Sequence, residues 1–429
     1  MSQDLLRDPA PHGGAVPRSA PGGTAPPGRP LRLLTFSTLY PSAARPSHGV
    51  FVENRLRHLV AGGEAEATVL APVPWFPSRS PRFGDWARHA AAPRAEERHG
   101  LAVHHPRYAV IPRFGMSVAP FLLYRAAARA LSRLVSEGLS FDAIDAHYLY
   151  PDGVAAVWLG RRFGKPVVIT ARGSDTSLLP RHAIPRRLIQ QVAIKGSDAL
   201  IAVSAGLAEG LHELGAPPEK VTVLRNGVDL RAFQPQDRAA ARAELGLGEG
   251  RVLLSVGLLI ERKGHHHIIP ALRDLPGHTL LIAGEGPDRA ALLALAAECG
   301  VAERVRMVGP QPHGRLPTFY SAADALVLAS SREGWANVLL ESMACGTPVV
   351  ASPAWGSREA VSSPAAGLVI DTVTPDAIAE GVRRLLSAPP SREATRAYAE
   401  RFGWDETTAG QLSLFRRVLA RGVPGRAGA

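Results

Sequence analysis

Two cysteines, Cys299 and Cys345, in 429 residues are too few for a disulfide framework and point to a reducing compartment, by default the cytoplasm. Long apolar runs are missing as well. The strongest, residues 155–159 and 325–329, fall far short of the roughly 20 residues a membrane span requires. Residues 1–30 hold seven Pro, five Gly and two acids before residue 9, with no apolar h-region, so they read as a disordered tail rather than a signal peptide. No RNP-type aromatic run, finger spacing or recognition-helix pattern is present, and no nucleic-acid partner is expected. An Asp-x-Asp pair is also absent, and His265, His266 and His267, being consecutive, cannot all face one ion. No essential metal and no cofactor are therefore expected. Lysine is scarce: Lys165, Lys195, Lys220 and Lys263 stand beside 45 arginines (49 basic residues less four).

What is present reads as globular, with 46% apolar and 20% charged residues and length enough for two full cores. The positive charge is uneven. Residues 31–230 carry 24 Lys/Arg against 16 Asp/Glu, net +8, whereas residues 231–429 carry 22 against 20, net +2. An anionic lipid surface or an anionic substrate would explain the excess. A solvated surface in an Arg-biased chain accounts for it as well.

Strand-like runs at residues 31–36, 69–73, 143–146, 167–170, 199–203 and 221–224 alternate with helical patterns at 52–61, 120–136 and 153–163. The Pro-, Arg- and aromatic-rich stretch 75–113 reads as a long surface connection. The alternation then restarts, with strands at 252–256, 279–283, 305–308, 325–329, 349–351 and 367–370. Helices are expected between them at 268–272, 289–297, 316–322 and 337–345, and a last helix at 405–419. This predicts an α/β protein of two doubly wound, Rossmann-like lobes facing a cleft, with ligands at the carboxyl ends of the strands.

Three of those ends carry candidate chemistry. Glu333 stands on the loop after the strand at 325–329, and Glu341 follows in the first turns of the next helix. Eight residues of ideal helix would separate them by about 12 Å, too loose a geometry for the paired acid and base of a hydrolase. Free amides at a helix start instead suit an anion, and each carboxylate suits sugar hydroxyls on either side. Lys263 sits in another strand-to-helix loop, where the rare lysine of an Arg-rich chain suggests a point-charge phosphate ligand. A solvated basic loop would look the same. Gly284-Glu285-Gly286 ends a third strand and allows close approach to a ligand.

The run Glu333-Gly334-Trp335-Ala336-Asn337-Val338-Leu339-Leu340-Glu341, followed by SerMetAlaCysGlyThrProValValAla, resembles the E-x7-E signature of family-four retaining glycosyltransferases. Leu224-Arg225-Asn226-Gly227-Val228-Asp229, Arg262-Lys263-Gly264, Ile282-Ala283-Gly284-Glu285-Gly286 and Val308-Gly309 appear in the family's order. The resemblance covers residues 31–420 and is most specific over 220–370. It implies a GT-B fold: an acceptor-binding lobe over 31–229, a nucleotide-sugar lobe over 230–404, and a helix at 405–421 returning to the first lobe.

The same resemblance implies roles. Glu341 would hold the donor ribose and Glu333 the transferred sugar, and Glu285 would join the donor side. The backbone of Trp335, Ala336 and Asn337 would cap the diphosphate that Lys263, aided by Arg262, neutralises. His147 would lie beside the reacting sugar, acting through orientation and electrostatics. Gly49 would approach the phosphates, and Arg172 and Asp175 would lie on the acceptor side. Two positions depart from the family pattern: Leu258 replaces a frequent Arg, and Arg172 replaces a His, which would favour an anionic group. The expected function is metal-independent, retaining transfer of a hexosyl-type sugar from a nucleoside diphosphate to a hydroxyl acceptor, in polysaccharide or glycolipid synthesis. The enzyme would be cytoplasmic and peripheral on the inner membrane face where the acceptor is lipid-linked. The alternatives are a nucleotide-sugar epimerase or hydrolase on the same fold, and a non-catalytic two-lobed sugar-binding protein.

Overall fold

A computed structural model describes residues 29–110 and 115–421, so the tail expected at residues 1–30 lies almost wholly outside the described residues. Among the described residues two large sheets form, each flanked by helices. The first runs, edge to edge, Val221–Val223, Ala199–Ala202, Val167–Ala171, Ala143–His147, Leu31–Phe36, Ala65–Leu70, Leu101–His104 and Ala95–Arg98. All pairings are parallel except the last. The central strands Ala143–His147 and Val167–Ala171 are buried at every position, as helices on both faces require.

The second sheet runs Val305–Gly309, His278–Ala283, Arg251–Val256, Ala325–Leu328, Val349–Ala351 and Gly367–Val369, all parallel. Numbered within its lobe this is the order 3-2-1-4-5-6, with the switch point beside Arg251–Val256 and Ala325–Leu328. The loops after those two strands carry Lys263 and Glu333.

Residues 75–110, the described part of 75–113, correct the sequence reading. In place of a bare connection they contain helix Asp85–Ala91 and an antiparallel hairpin, Ala95–Arg98 with Leu101–His104, that joins the first sheet. Charge concealed it: Ala-Glu-Glu-Arg is an edge strand, where charged side chains protect the open edge. The turn is His99-Gly100, both at positive φ, as a two-residue hairpin demands.

Helix Trp404–Ala420 packs on the first lobe. Its Leu412, Leu414, Phe415 and Val418 share one core with Leu33, Val52, Leu56 and Leu59. Each such side chain contributes roughly 1.5–3 kcal/mol by burial. Another core is continuous between the lobes, from Leu34 and Ile144 through Trp335 to Leu340. None of the described helices is long and apolar enough to cross a membrane.

Candidate active site

The second lobe contributes two loops laced together. Strand Arg251–Val256 leads through a short turn, Glu261–Lys263, into helix His265–Ala271. Residues 329–336 lead from strand Ala325–Leu328 to helix Asn337–Ala344. The Ser331 amide donates to the Arg262 carbonyl at 3.0 Å, and Arg262 Nη1 donates to the Arg332 carbonyl at 3.0 Å. Lys263 Nζ donates to Glu333 Oε1 at 2.6 Å, with Arg262 Nη1 3.9 Å from the same oxygen. Helix Asn337–Ala344 starts after Ala336 with no side-chain cap. The Leu339 amide turns back to the Ala336 carbonyl at 3.1 Å, and the helix start presents the positive end of its dipole. Two cations, one carboxylate and an open helix start are thus gathered at one sheet end.

Glu341 has a separate set of partners. Tyr320 Oη donates to its Oε2 at 2.8 Å, and His313 Nε2 lies 3.4 Å from its Oε1. Burial, then the charge of Glu341, pushes the Tyr320 hydroxyl well above its ordinary value. Burial alone would lower His313, but the hydrogen bond and charge of Glu341 outweigh it, and the imidazole is held above its usual range. Neither partner was predicted. Tyr320 did leave a signal, since a tyrosine inside a helix buried along its length needs a hydrogen-bond partner.

Glu285 is exposed and reaches to 3.8 Å from Arg88 of the first lobe, so it faces across the cleft. The Trp335 ring is buried, its Nε1 donating to the Asn226 carbonyl at 3.0 Å. Asn337 Oδ1 accepts from Asn226 Nδ2 at 3.3 Å. The lobes touch here: a Cβ placed on Gly334 would lie 2.4 Å from the Arg172 carbonyl oxygen.

The first-lobe residues are more enclosed than the sequence suggested. The His147 ring is buried; Arg172 Nη2 donates to its Nδ1 at 2.7 Å, and Asp145 Oδ2 stands 3.2 Å from its Nε2. Since a guanidinium only donates, Nδ1 is the acceptor and Nε2 carries the proton. Burial holds the imidazole below its usual pKa, the attraction of Asp145 opposing and Arg172 reinforcing the shift.

Arg172 is turned inward, to His147 and Asn226, with its guanidinium over the Phe51 ring. Asp175 likewise turns inward. Its buried carboxylate accepts from the amides of Leu149, Arg172 and Gly173 at 2.7–3.0 Å and shapes the loop. Gly49 caps helix Val50–Ala61 at φ 73°, where a Cβ would lie 2.3 Å from the Leu39 carbonyl oxygen. Its close approach in this structure is to the chain's own backbone.

Arg55 and Asn226 were not assigned roles. Arg55 is buried and donates to the Leu224 carbonyl at 3.0 Å and Asn226 Oδ1 at 3.1 Å. Its position between Val52, Leu56 and Leu59, within the apolar stripe of its helix, was the available sign. Among the described residues no group of three or more His, Cys, Asp or Glu is placed to hold a metal ion. His265 is engaged with Ser255 Oγ at 3.1 Å and the Leu258 carbonyl at 3.2 Å.

Residues 237–402 match the family described as Glycosyl transferases group 1, and residues 50–232 the one described as Glycosyltransferase Family 4. The D-inositol 3-phosphate glycosyltransferase of Frankia alni is 35% identical over 308 residues, covering 65% of this chain and 75% of the relative. That of Thermobispora bispora is 36% identical over 309 residues, covering 66% and 72%. Among solved structures, sucrose-phosphate synthase from Thermosynechococcus elongatus superposes with a TM-score of 0.76 at 22% identity, over 92% of this chain and 100% of that one. Anabaena HepE in complex with UDP gives 0.68 at 19%, over 90% and 100%. The complex of the same protein with UDP-glucose gives 0.66 at 18%, over 91% and 99%.

Proposed function

The chain belongs to the family 4 glycosyltransferases, of GT-B fold, and from that premise we propose that it moves a sugar from a nucleoside diphosphate donor to a hydroxyl acceptor with retention of configuration. One observation carries the reading: Lys263, Arg262 and the uncapped start of helix Asn337–Ala344 converge beside Glu333. As the sugar–phosphate bond breaks, negative charge grows on the leaving diphosphate. Lysine, arginine and amide dipoles already in place stabilise it without reorganising. Glu333 then exchanges Lys263 for the sugar hydroxyls, while Glu341 takes the ribose. The acceptor attacks from the face the diphosphate leaves, and a donor phosphate oxygen takes its proton. His147, sealed from the cleft, acts by electrostatics and orientation. With the diphosphate charge met by protein groups, no essential metal is invoked, and transfer should persist in excess EDTA.

A uridine donor is the first to test, because HepE has been crystallised with UDP and UDP-glucose. The acceptor side is the basic first lobe. A cavity of about 460 Å³ lies between helix Gly115–Ser136 and residues 104–109, lined by Arg94, His104, Arg125, Arg129 and Arg133. It supports docking of a cytoplasmic enzyme on an anionic membrane face to reach a lipid-linked acceptor in polysaccharide or glycolipid synthesis. A thermal-shift screen against nucleoside diphosphates tests the donor: at 100 times its Kd a ligand adds about 2.7 kcal/mol of stability. Stabilisation by one base names the donor class. No response to any of them overturns the reading.

A further inference from the structure

Asn226 lies in the segment that leaves strand Val221–Val223 for the second lobe, and every polar atom of its side chain is engaged. Its Oδ1 accepts from Arg55 Nη1 at 3.1 Å and Arg172 Nη1 at 3.2 Å, and its Nδ2 donates to Asn337 Oδ1 at 3.3 Å. Its backbone carbonyl takes the Trp335 indole N–H at 3.0 Å. The amide has one possible orientation, because two guanidinium donors require the oxygen on their side. Asn226 is 4% exposed, so each bond is formed where water competes poorly.

These bonds continue at both ends. Arg172 Nη2 reaches His147 Nδ1 at 2.7 Å, and His147 Nε2 stands 3.2 Å from Asp145. Asn337 opens the helix whose uncapped start faces the diphosphate in the proposed mechanism. We infer that Asn226 is a positioning residue joining the lobes: through Arg172 it holds His147 in its Nε2–H tautomer, and through Asn337 it ties that histidine to the diphosphate-binding helix start. The catalytic meaning of this link rests on the glycosyltransferase reading, but the link itself does not. Occupation of the helix start would be felt at His147, so that the acceptor side is ordered when a donor is present.

The experiment is nitrogen-15 NMR of histidine-labelled full-length protein, the His147 signal being assigned by its loss in His147→Gln. In the ligand-free protein His147 should show one tautomer, protonated on Nε2. Asn226→Ala should release Arg172 and give an averaged ring signal. Asn337→Ala leaves Asn226 its bonds from both arginines but removes the bond to the helix start, and should preserve the ligand-free signal. Added inorganic pyrophosphate or UDP should shift the His147 signal of the unmodified protein, and this shift should vanish in Asn337→Ala. An unchanged His147 tautomer in Asn226→Ala, or a pyrophosphate response in Asn337→Ala equal to that of the unmodified protein, overturns the inference. Should Asn226→Ala not fold, Asn337→Ala cuts the same link from its other end. If neither pyrophosphate nor UDP binds, the donor reading fails, while the ligand-free spectra still decide the tautomer claim.

Discussion

Lys263 and Glu333 form a direct ion pair, Nζ to Oε1 at 2.6 Å, although 70 residues separate them in the chain. They meet because parallel strands Arg251–Val256 and Ala325–Leu328 are neighbours, so their following loops emerge side by side. The proposed mechanism requires the pair to separate on donor binding, the lysine turning to phosphate and the carboxylate to sugar. On that proposal donor binding replaces one ion pair by two charge-assisted contacts.

Changing the two glutamates should separate binding from turnover. Glu341→Ala removes the proposed ribose contact and leaves Tyr320 Oη without its acceptor. It should weaken UDP binding by roughly 1.5–3 kcal/mol, about 10- to 150-fold in Kd. Glu333→Ala frees Lys263 for phosphate, so UDP affinity should hold while sugar transfer falls by a similar factor. Calorimetry with UDP beside UDP-glucose turnover distinguishes them. Equal losses of UDP affinity in both variants would contradict the assignment.

Gly334→Ala should disturb the contact between the lobes. The added Cβ would stand 2.4 Å from the Arg172 carbonyl oxygen and 3.0 Å from its carbon, so the donor loop and the first-lobe loop must part. Because Arg172 also holds His147, the change should lower turnover at least 10-fold, with smaller effect on UDP affinity, which the proposal places in the second lobe. Turnover within 2-fold of the unmodified enzyme would show that the contact is not needed.

The lobes were legible because their buried strands are continuous apolar runs, Val167–Ala171 and Ala325–Leu328 among them, whose burial leaves few alternative readings. Ala95–Arg98 was illegible for the opposite reason: an edge strand can be charged, and charge reads as loop. Lys263 and Glu333 stood out through composition and motif. Their pairing did not, since only the sheet order brings them together. His313 and Tyr320 reach Glu341 from 28 and 21 residues away, and nothing in local periodicity records that packing. For Arg172 and Asp175 the sequence carries no sign of whether a side chain turns outward or back onto its own chain, and both turn back.

Asp152 should make stability depend on pH. Its carboxyl is fully buried beneath the loop after the first strand, accepting from the Thr38 amide at 2.8 Å and the Thr38 hydroxyl at 2.9 Å. Burial pushes it up to about 7, against the lowering effect of those bonds. A folded value above the unfolded value of about 3.9 means that the folded state binds the proton more tightly. This contribution is full below pH 4 and is lost as pH rises to 7 and beyond. Asp152→Asn carries no ionisable group and still accepts from Thr38. The melting temperature of the unmodified protein should fall relative to Asp152→Asn between pH 5 and pH 8. Parallel curves would show that the carboxyl does not titrate in that range.

Where the enzyme works is the remaining expectation. Arg125, Arg129 and Arg133 rise at four-residue steps along helix Gly115–Ser136 and line the 460 Å³ cavity, Arg133 being partly offset by Glu137 at 3.5 Å. On the same helix Met116 and Phe121 are each half exposed, and Phe121 and Tyr124 share a second hollow with Trp158, Arg161 and Arg162. Guanidinium groups beside exposed aromatic and thioether side chains suit the headgroup boundary of a bilayer, where charge meets lipid phosphate and the apolar tips enter the acyl edge. Each basic residue at an anionic leaflet is worth about 1 kcal/mol, so Arg125→Ala with Arg129→Ala should weaken binding by roughly 2 kcal/mol, about 30-fold. Phe121→Ser should lower binding without changing its salt dependence, since it removes apolar insertion and no charge. Sedimentation with phosphatidylglycerol vesicles at low and high salt reads both effects, and unchanged UDP affinity confirms that the variants are folded. Absence of binding to such vesicles even at low salt would rule out membrane docking and leave a soluble acceptor.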